Sequence, residues 1–217
     1  MLYRHVIWDW NGTLLDDAWV CVEIINDLLA RRGLPIVTAE SYQRLFDFPV
    51  QDYYRAVGFD FDREPFAVLA EEFTRIYDIR RFECALQPGS ALMLEGLAAD
   101  GVTHSVLSAY EQRRLDELVG HYALTGHFQH MVGLSDYLCA SKVDNGRRLM
   151  AELGHAASEM VMIGDTTHDA EVARAMGIDC ILITCGHQSR ERLLAYGVPV
   201  CASLAECRGL LCGEVAV

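Results

Sequence analysis

Apolar and polar residues alternate along the chain with two different periods. A short apolar run at residues 6–8 predicts a buried strand that ends on Asp9. From residue 17 to residue 85 the apolar positions recur at helical spacing, and no strand is predicted there. Helices are predicted in this block at residues 18–33, 38–45, 50–57 and 65–81.

Beyond residue 85, helices alternate with short apolar strands. Helices are predicted at residues 90–100, 111–121, 144–153, 169–176 and 203–211, and strands at residues 103–107, 131–133, 160–163 and 180–184. This alternation predicts an α/β fold whose parallel sheet is covered by helices on both faces. Ligands of such folds bind beyond the carboxyl ends of the strands, so polar residues at those ends are the ones to consider.

The bulk composition narrows the class of protein and its partners. With 217 residues, of which 52% are hydrophobic and 23% charged, the chain has the composition of a globular protein with a full core. A net charge of −13 makes nucleic acid and anionic membranes unfavourable partners. No apolar run is long enough to span a bilayer and no secretory segment is evident, so a cytoplasmic protein with reduced cysteines is expected.

Three polar residues stand at predicted strand ends, namely Asp9, Ser108 and Asp165. Asp9 enters a turn whose backbone N–H groups at Gly12 and Thr13 are candidates for binding an anion. Asp169 follows Asp165 by four residues, at the start of a predicted helix, and paired carboxylates of this kind suit Mg²⁺. Acidic residues are also favoured at the positive end of a helix dipole. This alternative accounts for Asp169 at the helix start but not for Asp165 at the strand end.

Lys142 is the only lysine of the chain and lies just before a predicted helix. A lone lysine is most often a solvated loop charge. Beside converging carboxylates and a phosphoryl group, however, a compact cation has a catalytic use.

Four segments, DWNGTLLD, SVLSAY, ASKVDNG and IGDTTHD, resemble in order and spacing the motifs of the haloacid dehalogenase superfamily, in particular its phosphoglycolate-phosphatase-like branch. The resemblance covers the whole chain. It implies a Rossmann-like core formed by residues 1–16 and 86–217, with an all-helical cap inserted at residues 17–85. It also implies a Mg²⁺-dependent phosphatase that acts on a small phosphorylated metabolite, and it leaves the oligomeric state open.

The resemblance also assigns roles to individual residues. Asp9 would be the nucleophile that becomes an aspartyl-phosphate, and Lys142 would neutralise it and the phosphate. Phosphate-binding positions are Thr13, Ser108, Ala109 and Lys142, and the Mg²⁺ positions are Asp9, the Asn11 carbonyl, Asp165 and, through water, Asp169. Ala109 departs from the asparagine that the family often has after the serine or threonine.

Asn11 is the main departure, because the family's phosphatases carry there an aspartate that protonates the leaving group and activates water. General acid–base catalysis typically contributes ~10²–10⁴ in rate. Asp16, Asp17 or His168 are candidate substitutes, although helix N-capping is the more ordinary role for Asp16 and Asp17. A catalytically impaired phosphate-binding or regulatory protein is therefore the alternative function.

Two other chemistries of the superfamily fit less well. A phosphonate hydrolase needs a lysine in the cap, and the cap has none; a metal-independent dehalogenase has no use for Asp165 and Asp169. In the predicted cap, four residues around a helix break form the candidate specificity surface: Arg44, Phe46, Phe48 and Tyr53. Packing in the core is the more ordinary role for such residues. The remaining histidines, including the one in CGHQ, lack metal-ligand spacing.

Overall fold

A six-stranded parallel sheet organises the protein, which we describe from a computed structural model over residues 2–134 and 142–213. The strands are β1 His5–Trp8, β2 Leu15–Asp16, β3 Ala85–Leu86, β4 Thr103–Glu111, β5 His130–Leu134, β6 Met160–Gly164, β7 Asp179–Ile183 and β8 Val200–Cys201. The sheet order is β5-β4-β1-β6-β7-β8, and β2 pairs with β3 in a separate antiparallel ladder. The predicted α/β fold is confirmed.

Ten helices accompany these strands in the described residues. They are α1 Ala18–Arg31, α2 Ala39–Leu45, α3 Val50–Ala56, α4 Phe66–Arg80, α5 Ser90–Ala99, α6 Gln112–His121, α7 Lys142–Leu153, α8 Thr167–Met176, α9 Arg190–Leu194 and α10 Leu204–Cys212. The sequence prediction missed α9 and the two-residue strands β2, β3 and β8, which are too short to show a period. It also ended β4 four residues early, since the polar end of that strand breaks the apolar run.

Successive apolar side chains of a strand point to opposite faces of the sheet, so that both faces are packed. Trp8 and Ile163 point into a core shared with α1, α5 and α10, whereas Ile7 and Met162 point into a second core beneath α7 and α8. All four side chains are at most 1% exposed, and each fully buried side chain of this size stabilises the fold by ~1.5–3 kcal/mol. Burial on both faces explains why these strands read as continuous apolar runs.

Helices α1 to α4 occupy the stretch between β2 and β3, and α1 packs against α4. The chain leaves the parallel sheet after β1 and returns to it at β4, with the β2–β3 ladder joining the two ends of the helical stretch. We call α1–α4 the helical block. Its division from the rest of the chain as a separate cap, at residues 17–85, stays a prediction.

Seven of the eight cysteines are free and buried or half-buried, as the sequence predicts; the eighth, Cys139, lies outside the described residues. No helix in the described part of the chain is both long enough and apolar enough to cross a membrane.

Candidate functional site

The ends of β1 and β6 and the irregular last part of β4 bring the predicted polar residues together, with Ser108 inside β4 and not at its end. Trp8 of β1 is in register with Val106 of β4 and with Ile163 of β6, so that the next residues of each strand share one edge. The Asp9 N–H donates to the Ile163 carbonyl over 2.9 Å, which fixes Asp9 beside the β6 end. Asp9, Ser108 and Asp165 are all buried at this edge, as the rule for parallel sheets predicts.

Lys142 lies between two of the carboxylates. Its Nζ donates to Asp9 Oδ1 and to Asp169 Oδ1, each over 2.6 Å, and its side chain is 3% exposed. Burial opposes the charge, but Asp169 and Asp9 together raise the pKa of Lys142 above its usual value. Lys142 is therefore a buried cation held between Asp9 and Asp169.

Asp169 fixes Lys142 from the start of α8. Its Oδ2 accepts hydrogen bonds from the Thr166 N–H (3.0 Å), the Thr166 hydroxyl (2.7 Å) and the Asp165 N–H (3.2 Å). Burial favours the neutral acid, but Lys142 and Thr166 outweigh it and lower the pKa of Asp169. With Oδ1 on Lys142 and Oδ2 capping the helix, this carboxylate orients the cation.

Asp165 is clamped by backbone and hydroxyl groups. Its Oδ1 accepts from the Thr13 hydroxyl over 3.0 Å, and its Oδ2 accepts from the His187 N–H over 2.6 Å. A Cβ atom added at Gly12 or Gly186 would lie 2.3 or 2.1 Å from Asp165 Oδ2. Only glycine allows the two loops to approach the carboxylate so closely, and Gly12 also needs its φ of +76°.

Asp9, Asp165 and Asp169 with Lys142 form what we call the carboxylate cluster. One oxygen from each acid lies within 4.8 Å of the others. Burial is the main cause that raises the pKa of Asp9, to about 8, with Lys142 opposing and the other two acids adding to the rise. Burial likewise raises the pKa of Asp165 to about 6. Three hard-oxygen acids against one lysine fit a divalent cation such as Mg²⁺, which Asp9 and Asp165 would hold.

The predicted phosphate-binding residues surround this cluster but are already engaged. The Ser108 hydroxyl accepts from the Tyr110 N–H over 3.0 Å, the Thr13 hydroxyl donates to Asp165, and Ala109 is half-buried. In the turn after Asp9, the Gly12 N–H donates to Asp17 Oδ1 over 2.8 Å. The proposed anion-binding N–H at Gly12 thus has a carboxylate partner within the protein.

A second buried group adjoins the turn, and we call it the Asp17 network: Asp17, Asn11, Tyr77, His187 and Tyr42. The Asn11 Nδ2 donates to Asp17 Oδ2 and to the Tyr77 hydroxyl, each over 2.8 Å. Tyr77 in turn donates to Asp17 Oδ2 over 2.6 Å. The His187 Nε2 lies 3.3 Å from Asp17 Oδ1, and its Nδ1 lies 2.8 Å from the Tyr42 hydroxyl.

The pair at the centre of this network is charged. Burial alone would lower the pKa of His187, but Asp17, by its charge and hydrogen bond, raises it to about 9. Burial alone would raise the pKa of Asp17, yet His187, Tyr77 and Asn11 lower it. An imidazolium and a carboxylate therefore balance each other in the interior.

Two sequence interpretations change here. Asp17 stands at the N-cap position of α1, but the N-capping interpretation is wrong for its side chain, which makes no cap hydrogen bond and turns to the network instead. His187 was not identified from the sequence as a site residue. His187 follows β7 and so lies beyond the carboxyl end of a strand, where ligands bind in parallel sheets. His168 lies outside the network, 3.4 Å from Glu171 and stacked on Phe48.

The candidate specificity residues lie where the helical block meets the loop after β7. Tyr53 is buried, the Phe46 ring lies 5.1 Å from the His187 ring, and the Phe46 carbonyl accepts from Gln188 and Arg192. Arg44 points outward to Glu40. These contacts fasten the block to the sheet, and the specificity role stays a prediction.

Curated proteins similar to this chain include tyrosine-protein kinases and phosphoglycolate phosphatases. Tyrosine-protein kinase PtkA of Mycobacterium tuberculosis is 28% identical over 184 residues, which cover 84% of this chain and 62% of the kinase. Phosphoglycolate phosphatase of Caulobacter vibrioides is 28% identical over 190 residues, covering 84% and 79%. The chain thus spans less than two thirds of the length of the kinase relatives.

Solved structures share the fold over nearly the whole chain. The structure of M. tuberculosis PtkA superposes with a TM-score of 0.81 at 25% identity, covering 96% of this chain and 98% of that one. A haloacid dehalogenase-like protein of Streptococcus pneumoniae gives 0.82 at 19% identity, covering 96% and 98%. The family model described as haloacid dehalogenase-like hydrolase matches residues 6–183. The chain belongs to the haloacid dehalogenase-like hydrolase family.

Proposed function

We propose that the protein is a Mg²⁺-dependent phosphatase that hydrolyses a small phosphate monoester, with Asp9 as the nucleophile. The observation that carries the proposal is the carboxylate cluster: Asp9 at a strand end, 2.6 Å from the buried Lys142 and within 4.8 Å of Asp165 and Asp169. The named phosphoglycolate phosphatases among the similar proteins support the same reaction class.

The residues divide the work of phosphoryl transfer between them. An Asp9 oxygen attacks phosphorus, the bond to the leaving oxygen breaks, and the phosphoryl group is carried on the carboxylate. Lys142, fixed by Asp169, offers positive charge to the phosphoryl oxygens as charge develops there. Mg²⁺ held by Asp9, Asp165 and the Asn11 carbonyl would supply Lewis-acid charge at the same oxygens. Water then releases phosphate from Asp9.

The helical block is proposed to act as the cap. It covers the strand-end site by hydrogen bonds to the loop after β7, for example from the Gln43 amide to the Gly186 carbonyl over 2.9 Å. Such a cover excludes water from the first step and favours phosphoryl transfer to Asp9 over side reactions.

Phosphate release from an aryl, an acyl and an alkyl phosphate, with and without Mg²⁺, tests the proposal. Asp9→Asn should lose at least ~10⁴ in kcat, because the nucleophile is gone, whereas Asp52→Asn on the surface of α3 should keep native activity. The better leaving groups should give the highest kcat/KM, which reports the formation of the aspartyl-phosphate, since Asn11 cannot protonate them. Equal activity of Asp9→Asn and native protein would refute the assignment.

A second candidate is transfer of the phosphoryl group from Asp9 to a hydroxyl other than water. Two observations favour it: an amide stands where water would be activated, and several similar proteins carry the name tyrosine-protein kinase. The test is to mix the phosphorylated protein with tyrosine peptides and to follow the label. Transfer faster than phosphate release supports this candidate, and label found only in phosphate supports the phosphatase.

A further inference from the structure

Asp17 is a saturated hydrogen-bond acceptor. Its Oδ1 accepts from the Gly12 N–H and forms an ion pair with the His187 Nε2 at 3.3 Å. Its Oδ2 accepts from the Tyr77 hydroxyl, from the Asn11 Nδ2 and, over 4.0 Å, from the Cys21 thiol. These contacts occupy both oxygens of the ionised carboxylate. With Asp17 1% exposed, these partners are what make its charge tolerable in the interior.

The amide of Asn11 is equally committed. Its two hydrogens go to Asp17 Oδ2 and to the Tyr77 hydroxyl. An aspartate at position 11 would have no hydrogen to give and would place a second carboxylate at hydrogen-bond distance from Asp17. Like charges so close in a buried site cannot both be ionised without a large cost. The residue types at positions 11 and 17 are therefore complementary.

We propose that Asp17 is a positioning residue for the reaction at Asp9, and that the amide at position 11 is the partner its charge requires. The inference rests on the proposed phosphatase function and deepens it. It also gives a physical reason for the amide: Asn11 serves as a double donor that joins Asp17 to Tyr77.

The contacts show how Asp17 acts on the site. Through the Gly12 N–H it fixes the turn that follows the nucleophile, and Gly12 lies against Asp165. Through Tyr77 of α4, and through His187 to Tyr42 of α2, it fastens two helices of the block above that turn. Loss of Asp17 should therefore misplace the nucleophile and lower kcat more than it raises KM, since small misplacements of reacting groups are costly.

Reciprocal exchange tests the pairing. In the double variant Asn11→Asp/Asp17→Asn, the amide at position 17 can donate to the carboxylate at position 11 while its oxygen keeps the Gly12 N–H. We expect each single variant to lose at least ~10-fold in kcat and the double variant to recover to within ~threefold of native. A double variant no better than the poorer single one, or a fully active Asp17→Asn, would overturn the inference. So would an Asn11→Asp protein more active than native.

A second readout does not depend on turnover. The side-chain amide signals of Asn11, assigned by their absence in Asn11→Asp, should exchange slowly with solvent in native protein and at least ~10-fold faster in Asp17→Asn. Rapid exchange in native protein would contradict the network. If Asp17→Asn does not fold, Tyr77→Phe replaces it: losing one acceptor should speed exchange severalfold, and unchanged exchange counts against the proposal.

The two readouts separate the inference from the function it rests on. If native protein and all variants release no phosphate, the proposed function fails while amide exchange still decides the pairing. If native protein is active and the exchange variant is not rescued, the pairing fails and the phosphatase stands. Asp52→Asn, an exposed acid-to-amide change, serves as the matched control in both measurements.

Discussion

The carboxylate cluster and the Asp17 network lie side by side and differ in how their charges are compensated. In the cluster, three acids face a single lysine, and two of the acids have raised pKa values. In the network, one acid faces one imidazolium, and the acid's pKa is lowered. In our proposal, the cluster with uncompensated charge receives a cation and a phosphoryl group, whereas the network with balanced charge and filled hydrogen bonds holds the geometry.

After loss of the nucleophile itself, the largest expected effect comes from removing the cation of the cluster. Lys142→Met should lower kcat ~10³-fold, because charge on the phosphoryl oxygens loses its nearest partner. It should also lower the free energy of unfolding by ~3–5 kcal/mol, because Asp9 and Asp169 remain buried without it. Steady-state kinetics and urea unfolding measure both effects.

The matched control is Arg113→Met, which removes an exposed cation from a surface ion pair with Glu117 and should change stability by less than ~1 kcal/mol. If Lys142→Met matched this control in both rate and stability, the electrostatic account of the cluster would be wrong.

Cation binding should depend on the carboxylate cluster and much less on the Asp17 network. Mg²⁺ at 100 times its Kd should stabilise native protein by ~2.7 kcal/mol, since it binds only the folded cluster. Asp165→Asn should lose this increment, because it removes a ligand, and Asp17→Asn should keep most of it. Thermal unfolding with and without Mg²⁺ gives the comparison. Equal increments in native protein and Asp165→Asn would place the cation elsewhere.

A smaller effect concerns histidines at the opposite end of the sheet. Burial lowers the pKa of His5 to about 3 and that of His104 to about 4, whereas His187, beside Asp17, has a pKa of about 9. The unfolded chain binds protons near pH 6.5, so the stabilisation from neutral His5 and His104 is complete above that pH and declines toward pH 4.

Between about pH 7 and pH 4.5 the two histidines should remove ~5 kcal/mol of unfolding free energy. Asp9 and Asp165, whose raised pKa values stabilise the folded protein as the pH falls, should return about as much, so that the net change stays small. Urea unfolding across that range measures the net change, and NMR titration of each imidazole isolates the histidine part. A His104 that titrates near 6.5 would contradict the effect of burial, and a His187 that does so would show that Asp17 does not decide its charge state.

The fold and the carboxylate cluster could be predicted from sequence because each rests on a local pattern. Apolar runs gave β1, β4 and β6, and the strand-end rule then brought Asp9, Ser108 and Asp165 together. The Asp17 network could not be predicted in the same way. It joins Asn11 to Tyr77 across 66 residues and Tyr42 to His187 across 145, and its members lie on helices and loops without a shared spacing.

Asp17 shows the limit of local rules most clearly. An acid at a helix start is most simply an N-cap, and only the packing of α4 and the loop after β7 turns its side chain toward Asn11. The same packing accounts for the amide at position 11, which sequence alone left as an unexplained departure.

Rapid mixing of the native protein with an aryl phosphate and Mg²⁺, followed by acid quench and peptide mapping, tests the central claim most directly. Because Asn11 cannot activate water, release of phosphate from Asp9 should be slower than its formation. The account predicts a burst in which about one molecule of the phenol is released per protein molecule, with one phosphoryl group on the peptide that contains Asp9. Turnover without a burst and with no phosphorylated Asp9, or a phosphorylated residue elsewhere, would contradict it.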